Sequence, residues 1–125
     1  MAVESIGVDV VEVARMEADI ERYGDRFLQR ILSDAEQSVL AERVDKAVFL
    51  AGRFAGKEAV IKALGRFLSD RPPYAEIEIT NDPSGQPVVV LSDVVRDMLG
   101  GASILISISH EKSYAVAMVV ISSHS

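Results

Sequence analysis

Phe49-Leu50-Ala51-Gly52-Arg53-Phe54-Ala55-Gly56-Lys57-Glu58-Ala59-Val60-Ile61-Lys62-Ala63-Leu64-Gly65 is the stretch on which the fold turns. It is apolar or small nearly all the way round, the pattern of a helix buried on every side. It nevertheless carries Arg53, Lys57, Glu58 and Lys62. At about 100° per residue, Arg53 and Lys57 fall on one line, and Glu58 and Lys62 fall on another roughly 140° away. Phe49, Val60 and Leu64 flank the first line, and Ala51 and Ala55 flank the second. A mostly buried helix does not hold such charges without partners. Three cations and one acid point to an anionic ligand together with a metal ion. The plain alternatives are a surface i,i+4 bridge between Glu58 and Lys62, worth about 0.3–0.5 kcal/mol, and solvated Arg53 and Lys57 whose stems cover apolar surface.

Outward from this helix, which should cover about residues 46–64 with Gly65 as its C-terminal stop, the chain alternates helices and strands. Ile6 to Val13 reads as a strand, with Ile6, Val8 and Val10 on one face and Gly7, Asp9 and Val11 on the other. Asp is depleted in strands, which makes Asp9 conspicuous. Helical pieces follow at about residues 13–22 and 27–32, broken at Tyr23-Gly24-Asp25. Ser33-Asp34-Ala35-Glu36 has the form of a capping box and starts a helix running to about Arg43. Beyond the loop of Asp70 and Pro72-Pro73, residues 75–80 alternate as a strand, Asn81 to Gly85 turns, and Pro87 to Leu91 returns. Ser92 caps a short helix from Asp93 to Leu99. Ile104 to Ser109 and Tyr114 to Ile121 form a last hairpin, and Ser122 to Ser125 read as a frayed tail. This order gives an α+β fold, one domain over residues 1–125, with an antiparallel-rich sheet packed on a long central helix.

The 125 residues suffice for a real core, and 49% hydrophobic content is that of a globular chain. A net charge of −6 argues against general nucleic-acid binding. With no cysteine and only His110 and His124, disulfides are excluded and a zinc site is disfavoured. There is no basic N-terminal region before an apolar run, so no signal peptide is visible, and no stretch is long enough to span a membrane; a domain without disulfides suits the cytoplasm. A phosphate loop, a dinucleotide fingerprint and a nucleophile elbow are all missing.

The remaining candidates are scattered. Asp9 paired with Glu58 would make a hard-oxygen site of the kind Mg²⁺ uses with substrate phosphates. His110, in phase with Ile104, Ile106 and Ile108, is either a hydrogen-bonded strand-end residue or one facing an anion or base ring. His124 lies in the tail and carries no functional reading. Arg15, Arg22, Arg26 and Arg30 recur at helix-compatible spacings. They are ordinary solvated charge, or a basic patch suited to an acidic macromolecular partner.

Three separated segments resemble the small bacterial holo-[acyl-carrier-protein] synthases, the homotrimeric 4′-phosphopantetheinyl transferases. They are Ile6-Gly7-Val8-Asp9 with Arg15, Phe49 to Ala59 with Lys62, and Ile106 to His110 with Tyr114-Ala115-Val116-Ala117; Gly85-Gln86-Pro87 adds a Gly-x-Pro before a strand. The resemblance implies the phosphopantetheinyl transferase fold and transfer of the 4′-phosphopantetheine arm of coenzyme A to a serine of apo-acyl carrier protein, releasing adenosine 3′,5′-bisphosphate. Its setting would be fatty acid biosynthesis. It implies Mg²⁺ on Asp9 and Glu58, and Glu58 and Lys62 as catalytic groups. Coenzyme A would lie against Arg53, Lys57, Gly65 and His110. The carrier protein would dock on Arg15, Arg22, Arg26, Phe27 and Arg30. It also implies a homotrimer with active sites between protomers; the charge and hydropathy, for their part, lead to the expectation of no nucleic-acid or membrane partner.

Two positions depart from the family pattern. Arg66-Phe67-Leu68 follows Gly65 where many relatives have Gly-Thr-Gly, and Glu111 follows the histidine where small or hydroxylated residues are common. The altered loop keeps a second reading in view, a non-catalytic coenzyme A or nucleotide-binding module that retains the cleft. A structural trimer domain of a larger synthase is a third.

Overall fold

The computed structural model describes residues 2–123; His124 lies outside the described residues. Its centre is α4 (Lys46–Leu64). That helix packs on the inner face of a three-stranded antiparallel sheet made of β1 (Ala2–Glu12), β5 (Tyr114–Ser123) and β4 (Ser103–His110), in the order β1-β5-β4. Around the other sides of α4 lie α1 (Val13–Tyr23), α2 (Asp25–Ile31), α3 (Asp34–Ala41) and a two-stranded antiparallel sheet of β2 (Ile77–Asn81) and β3 (Pro87–Leu91). A short helix α5 (Asp93–Met98), capped by Ser92, links β3 to β4. Being wrapped on nearly all sides is why α4 is apolar over most of its surface: thirteen of its nineteen residues are buried.

Small residues let α4 sit close to the sheet. Gly7 is on the inner face of β1, where an added Cβ would strike the Ala59 carbonyl oxygen. On β5, Ala115 and Ala117 line the same face, opposite Val11 and Asp9, with Val119 and Ile121 completing it. The outer face is also apolar but uncovered. Its cross-strand rows are Ile6–Val120–Leu105, Val8–Met118–Ser107 and Val10–Val116–Ser109. Ile6, Val8, Val10 and Leu105 are each more than half exposed.

Several boundaries differ from the sequence expectations. The tail is not frayed at Ser122 and Ser123: β5 continues through both by pairing with Val3 and Ala2 of a longer β1, and Ser122 is buried. The helix after the capping box stops at Ala41, short of Arg43. Its terminal carbonyls are taken by Lys46 Nζ, 3.2 Å from Leu40 O and 3.2 Å from Ala41 O. Gly65 does not make a left-handed stop; at φ −57° it stays right-handed, and the chain winds on through Phe67, whose N–H reaches Leu64 O at 2.8 Å.

Candidate active site

The two charged lines of α4 have different fates. Lys57 is fully buried, and its ammonium donates to Glu36 Oε1 at 2.6 Å, Ile31 O at 2.7 Å and Tyr74 O at 3.2 Å. Three protons meet three protein acceptors. Glu36 is equally enclosed. Its Oε1 also accepts the Ser33 N–H of the capping box at 2.8 Å, and its Oε2 accepts the Ile79 N–H at 2.9 Å. Desolvation pushes the Lys57 pKa down while the Glu36 carboxylate opposes it. Lys57, expected against coenzyme A, has in this structure neither exposed surface nor a proton left over from its three protein acceptors. The capping-box signature located Glu36 at the start of α3, but nothing in it announced the second partner.

Glu58 and Lys62, on the second line, reach the edge of the molecule and do not pair with each other. Lys62 Nζ donates to Asp9 Oδ1 at 3.0 Å and to Val8 O at 2.9 Å. Glu58 Oε2 accepts from the Tyr74 hydroxyl at 2.5 Å and from Arg71. The side chains of Asp9 and Glu58 are 18% and 17% exposed. Since Lys62 is one helical turn beyond Glu58 and binds Asp9, the opening strand and the central helix bring both acids to one edge. Desolvation and the Glu58 contact both raise the Tyr74 pKa.

Arg53 opens on the opposite flank of α4, into a cavity of about 490 Å³ between the start of α4, the end of β4 and the β2–β3 turn. His110, Arg43, Gly85 and Pro87 line it as well. Arg53 is 8% exposed; one guanidinium nitrogen bonds Asn81 Oδ1, and the buried Nε has no hydrogen-bond partner among the described residues. Burial works against its charge, partly offset by Glu36. Its guanidinium lies 4.6 Å from the Phe49 ring centroid and that of Arg43 lies 5.1 Å from it. Such a cleft, cationic and holding an unanswered buried donor, suits a phosphate-bearing ligand. Gly65 is not in this cleft; it borders a separate cavity of about 280 Å³ with Leu68, Arg71 and Pro72.

The remaining predicted residues lie on α1 and α2. Arg15, Arg22, Arg26 and Arg30 are exposed, and Phe27 is half-buried against the core. Arg15 stacks 5.5 Å from the Phe54 centroid, and Arg22 lies 5.3 Å from that of Tyr23. Sequence reasoning missed Arg43, Arg71, Tyr74 and Asn81, because each sits in a connection, a short turn or a strand end without periodic signal. The two departures from the family pattern serve local structure. Arg66 donates to Glu4 O, and Glu111 accepts the Ser113 N–H at 3.0 Å inside its own hairpin turn.

Comparison with known proteins matches this architecture to one family. The family model described as "4′-phosphopantetheinyl transferase superfamily" matches residues 5–119. A holo-[acyl-carrier-protein] synthase of Protochlamydia amoebophila is 44% identical over 118 residues, covering 94% of this chain and 97% of that protein. A solved holo-[acyl-carrier-protein] synthase of Helicobacter pylori in complex with coenzyme A is 36% identical, with a TM-score of 0.83 over 94% of this chain and 99% of that one. The Neisseria meningitidis holo-[acyl-carrier-protein] synthase, 29% identical, reaches a TM-score of 0.88 over 97% of this chain and 99% of that one. With both flanks of α4 and nearly the whole chain accounted for, the protein belongs to the 4′-phosphopantetheinyl transferase superfamily, among the holo-[acyl-carrier-protein] synthases.

Proposed function

We propose that this chain, as one phosphopantetheinyl transferase domain in a cytoplasmic homotrimer, uses Asp9, Glu58 and Lys62 of one copy together with the Arg53–His110 cleft of a neighbour. The reaction is transfer of 4′-phosphopantetheine from coenzyme A to a serine of apo-acyl carrier protein, with adenosine 3′,5′-bisphosphate released. The observation that carries the two-copy reading is the division of the charged groups. β1 and β4 are opposite edges of the sheet, so the Asp9 cluster and the His110 cleft flank α4 on different sides. Beside them lies an uncovered apolar sheet face of the kind that marks an interface between subunits.

The donor chemistry at the Asp9 edge fits Mg²⁺: two partly exposed acidic side chains from different elements, hard oxygen ligands of the kind that share the ion with water and phosphate oxygens. When bound, Mg²⁺ neutralises charge on the pyrophosphate and orients it for displacement. The carrier serine oxygen forms the new bond to phosphorus, and the bond from phosphorus to the departing bisphosphate breaks. Glu58 takes the serine proton. Lys62, held half-exposed beside Asp9, stabilises charge on the leaving group. Arg53, Arg43 and His110 hold the anionic nucleotide end, and the α1–α2 arginines receive the acidic carrier protein.

Incubation with coenzyme A, Mg²⁺ and apo-carrier, followed by mass spectrometry of the carrier, should show addition of one phosphopantetheine. Glu58→Gln and His110→Ala should each be inactive alone. Unfolded together and refolded as mixed trimers, they should regain about a quarter of the wild-type sites, because each shared site needs one intact half from each copy. Absence of recovery would place both halves within one protomer. Val8→Asp, in the centre of the apolar face, should shift the particle to monomer mass in light scattering.

A further inference from the structure

Glu58 is gripped by two residues that the transfer chemistry does not require. Tyr74 Oη and an Arg71 guanidinium N–H both donate to the same oxygen, Oε2, and no described residue donates to Oε1. Arg71 also donates to Tyr74 Oη at 2.8 Å and lies 5.4 Å from the Tyr74 ring centroid. The two grips are unlike in kind. Tyr74 is anchored: its ring packs on Phe54 at 5.7 Å, its carbonyl accepts the buried Lys57 ammonium, and Pro72-Pro73 stiffen the chain before it. Arg71 is on the loop after α4, with a side chain 53% exposed. A guanidinium–carboxylate contact so open to water is weak and exchanges readily.

We propose that Arg71 and Tyr74 are opposed positioning residues for Glu58: Arg71 is a resident counter-ion whose charge opposes a divalent cation at the same carboxylate, and Tyr74 is the fixed donor that keeps Oε1 turned to the site. This rests on the reading of Glu58 as a cation ligand. A guanidinium and a metal ion are like charges seeking one carboxylate, so Arg71 opposes metal binding. A phenol brings no charge and occupies only Oε2, so it orients the ligand without competing for it. The two side chains touch the same atom and should push metal affinity in opposite directions.

The test uses the full chain without coenzyme A and follows Mn²⁺ binding by the loss of free-ion signal in electron paramagnetic resonance at low salt. Arg71→Met should bind Mn²⁺ about threefold tighter or more, an advantage that shrinks as salt is raised. Arg71→Lys, which keeps the charge, should stay nearer the wild type. Tyr74→Phe should bind about threefold more weakly. In turnover, Arg71→Met should reach half-maximal rate at lower Mg²⁺. Unchanged or weaker Mn²⁺ binding by Arg71→Met, or unchanged binding by Tyr74→Phe, overturns the proposal while leaving the transfer reading intact. If Glu58→Gln binds Mn²⁺ as tightly as the wild type, the cation does not use Glu58, and the reading beneath the proposal falls with it.

Discussion

Lys57 and Lys62 are five residues apart on one helix, each within 3.0 Å of a carboxylate oxygen, and they do different work. Lys57 has no exposed surface and gives every proton to the protein. Lys62 is 54% exposed and holds Asp9 and one backbone carbonyl at the rim. The difference lies in solvent. In the interior, attraction between the charges is strong but must repay a large desolvation cost, so the partner has to be permanent. At the rim water screens the pair, and exchanging a carboxylate for a phosphate oxygen costs little. The same two residue types thus build a structural pin at one depth and a replaceable contact at another.

The largest effect should come from the rim. Glu58→Gln keeps size and shape and removes the charge that would take the serine proton, so turnover should fall by about 10³-fold or more. The melting temperature should stay near that of the wild type, because the acid is partly solvated and its Tyr74 bond can persist to the amide oxygen. Measured together, rate and melting temperature sharpen the comparison: a rim residue moves the first and spares the second.

The buried partner should do the reverse. Lys57→Met strands the Glu36 carboxylate in the core and should cost about 3–5 kcal/mol, lowering the melting temperature by about 10 °C or more. Lys62→Met should cost less than about 1 kcal/mol of stability while sharply lowering kcat. Removing both buried charges, as Glu36→Leu with Lys57→Met, should restore only part of the loss. Glu36 also answers the Ser33 and Ile79 N–H groups, and these would be left unpaired. Equal stability losses at Lys57 and Lys62 would break the comparison outright.

The sequence made α4 readable because its apolar coverage, length and charges are local features, and its bounds fall where the pattern placed them. The alternation of β1 correctly separated Ile6, Val8 and Val10 from Gly7, Asp9 and Val11. It did not show that the more apolar of the two faces is the open one, because that depends on where α4 docks. The helical wheel placed Arg53 and Lys57 on one line, but did not show that Lys57 meets an acid from a different helix, 21 residues away, while Arg53 keeps a nitrogen without a hydrogen-bond partner among the described residues. Arg71 and Tyr74 were invisible for a similar reason. Their relation to Glu58 is made by a loop returning across α4, and a single residue in a loop carries no periodicity.

A milder effect is expected on α1 and α2, where charge is exposed and acts at a distance. Arg26→Glu should raise the KM for carrier protein by about tenfold at low salt and leave that for coenzyme A nearly unchanged. Added salt should shrink the difference, as screening shortens the reach of the patch. An equal rise in both constants would remove this face as the docking surface and tie Arg26 to the cleft instead.

The smallest effect should come from a pair with better geometry than either lysine has. Arg43 donates two parallel bonds to Asp45, at 2.8 and 2.9 Å, just before α4, but both side chains are about two-fifths exposed. Those bonds hold the Asp45 carboxyl below its ordinary range. Its contribution to stability is therefore complete above the unfolded carboxylate pKa of about 4 and is lost as pH falls through the lower folded value. Asp45→Asn should change the unfolding free energy at pH 7 by less than about 1 kcal/mol. The gap between mutant and wild type should close in acid, where the wild-type carboxylate is protonated as well. Were this exposed bidentate pair to match the Lys57 loss, hydrogen-bond geometry rather than depth would be what separates pins from replaceable contacts along α4.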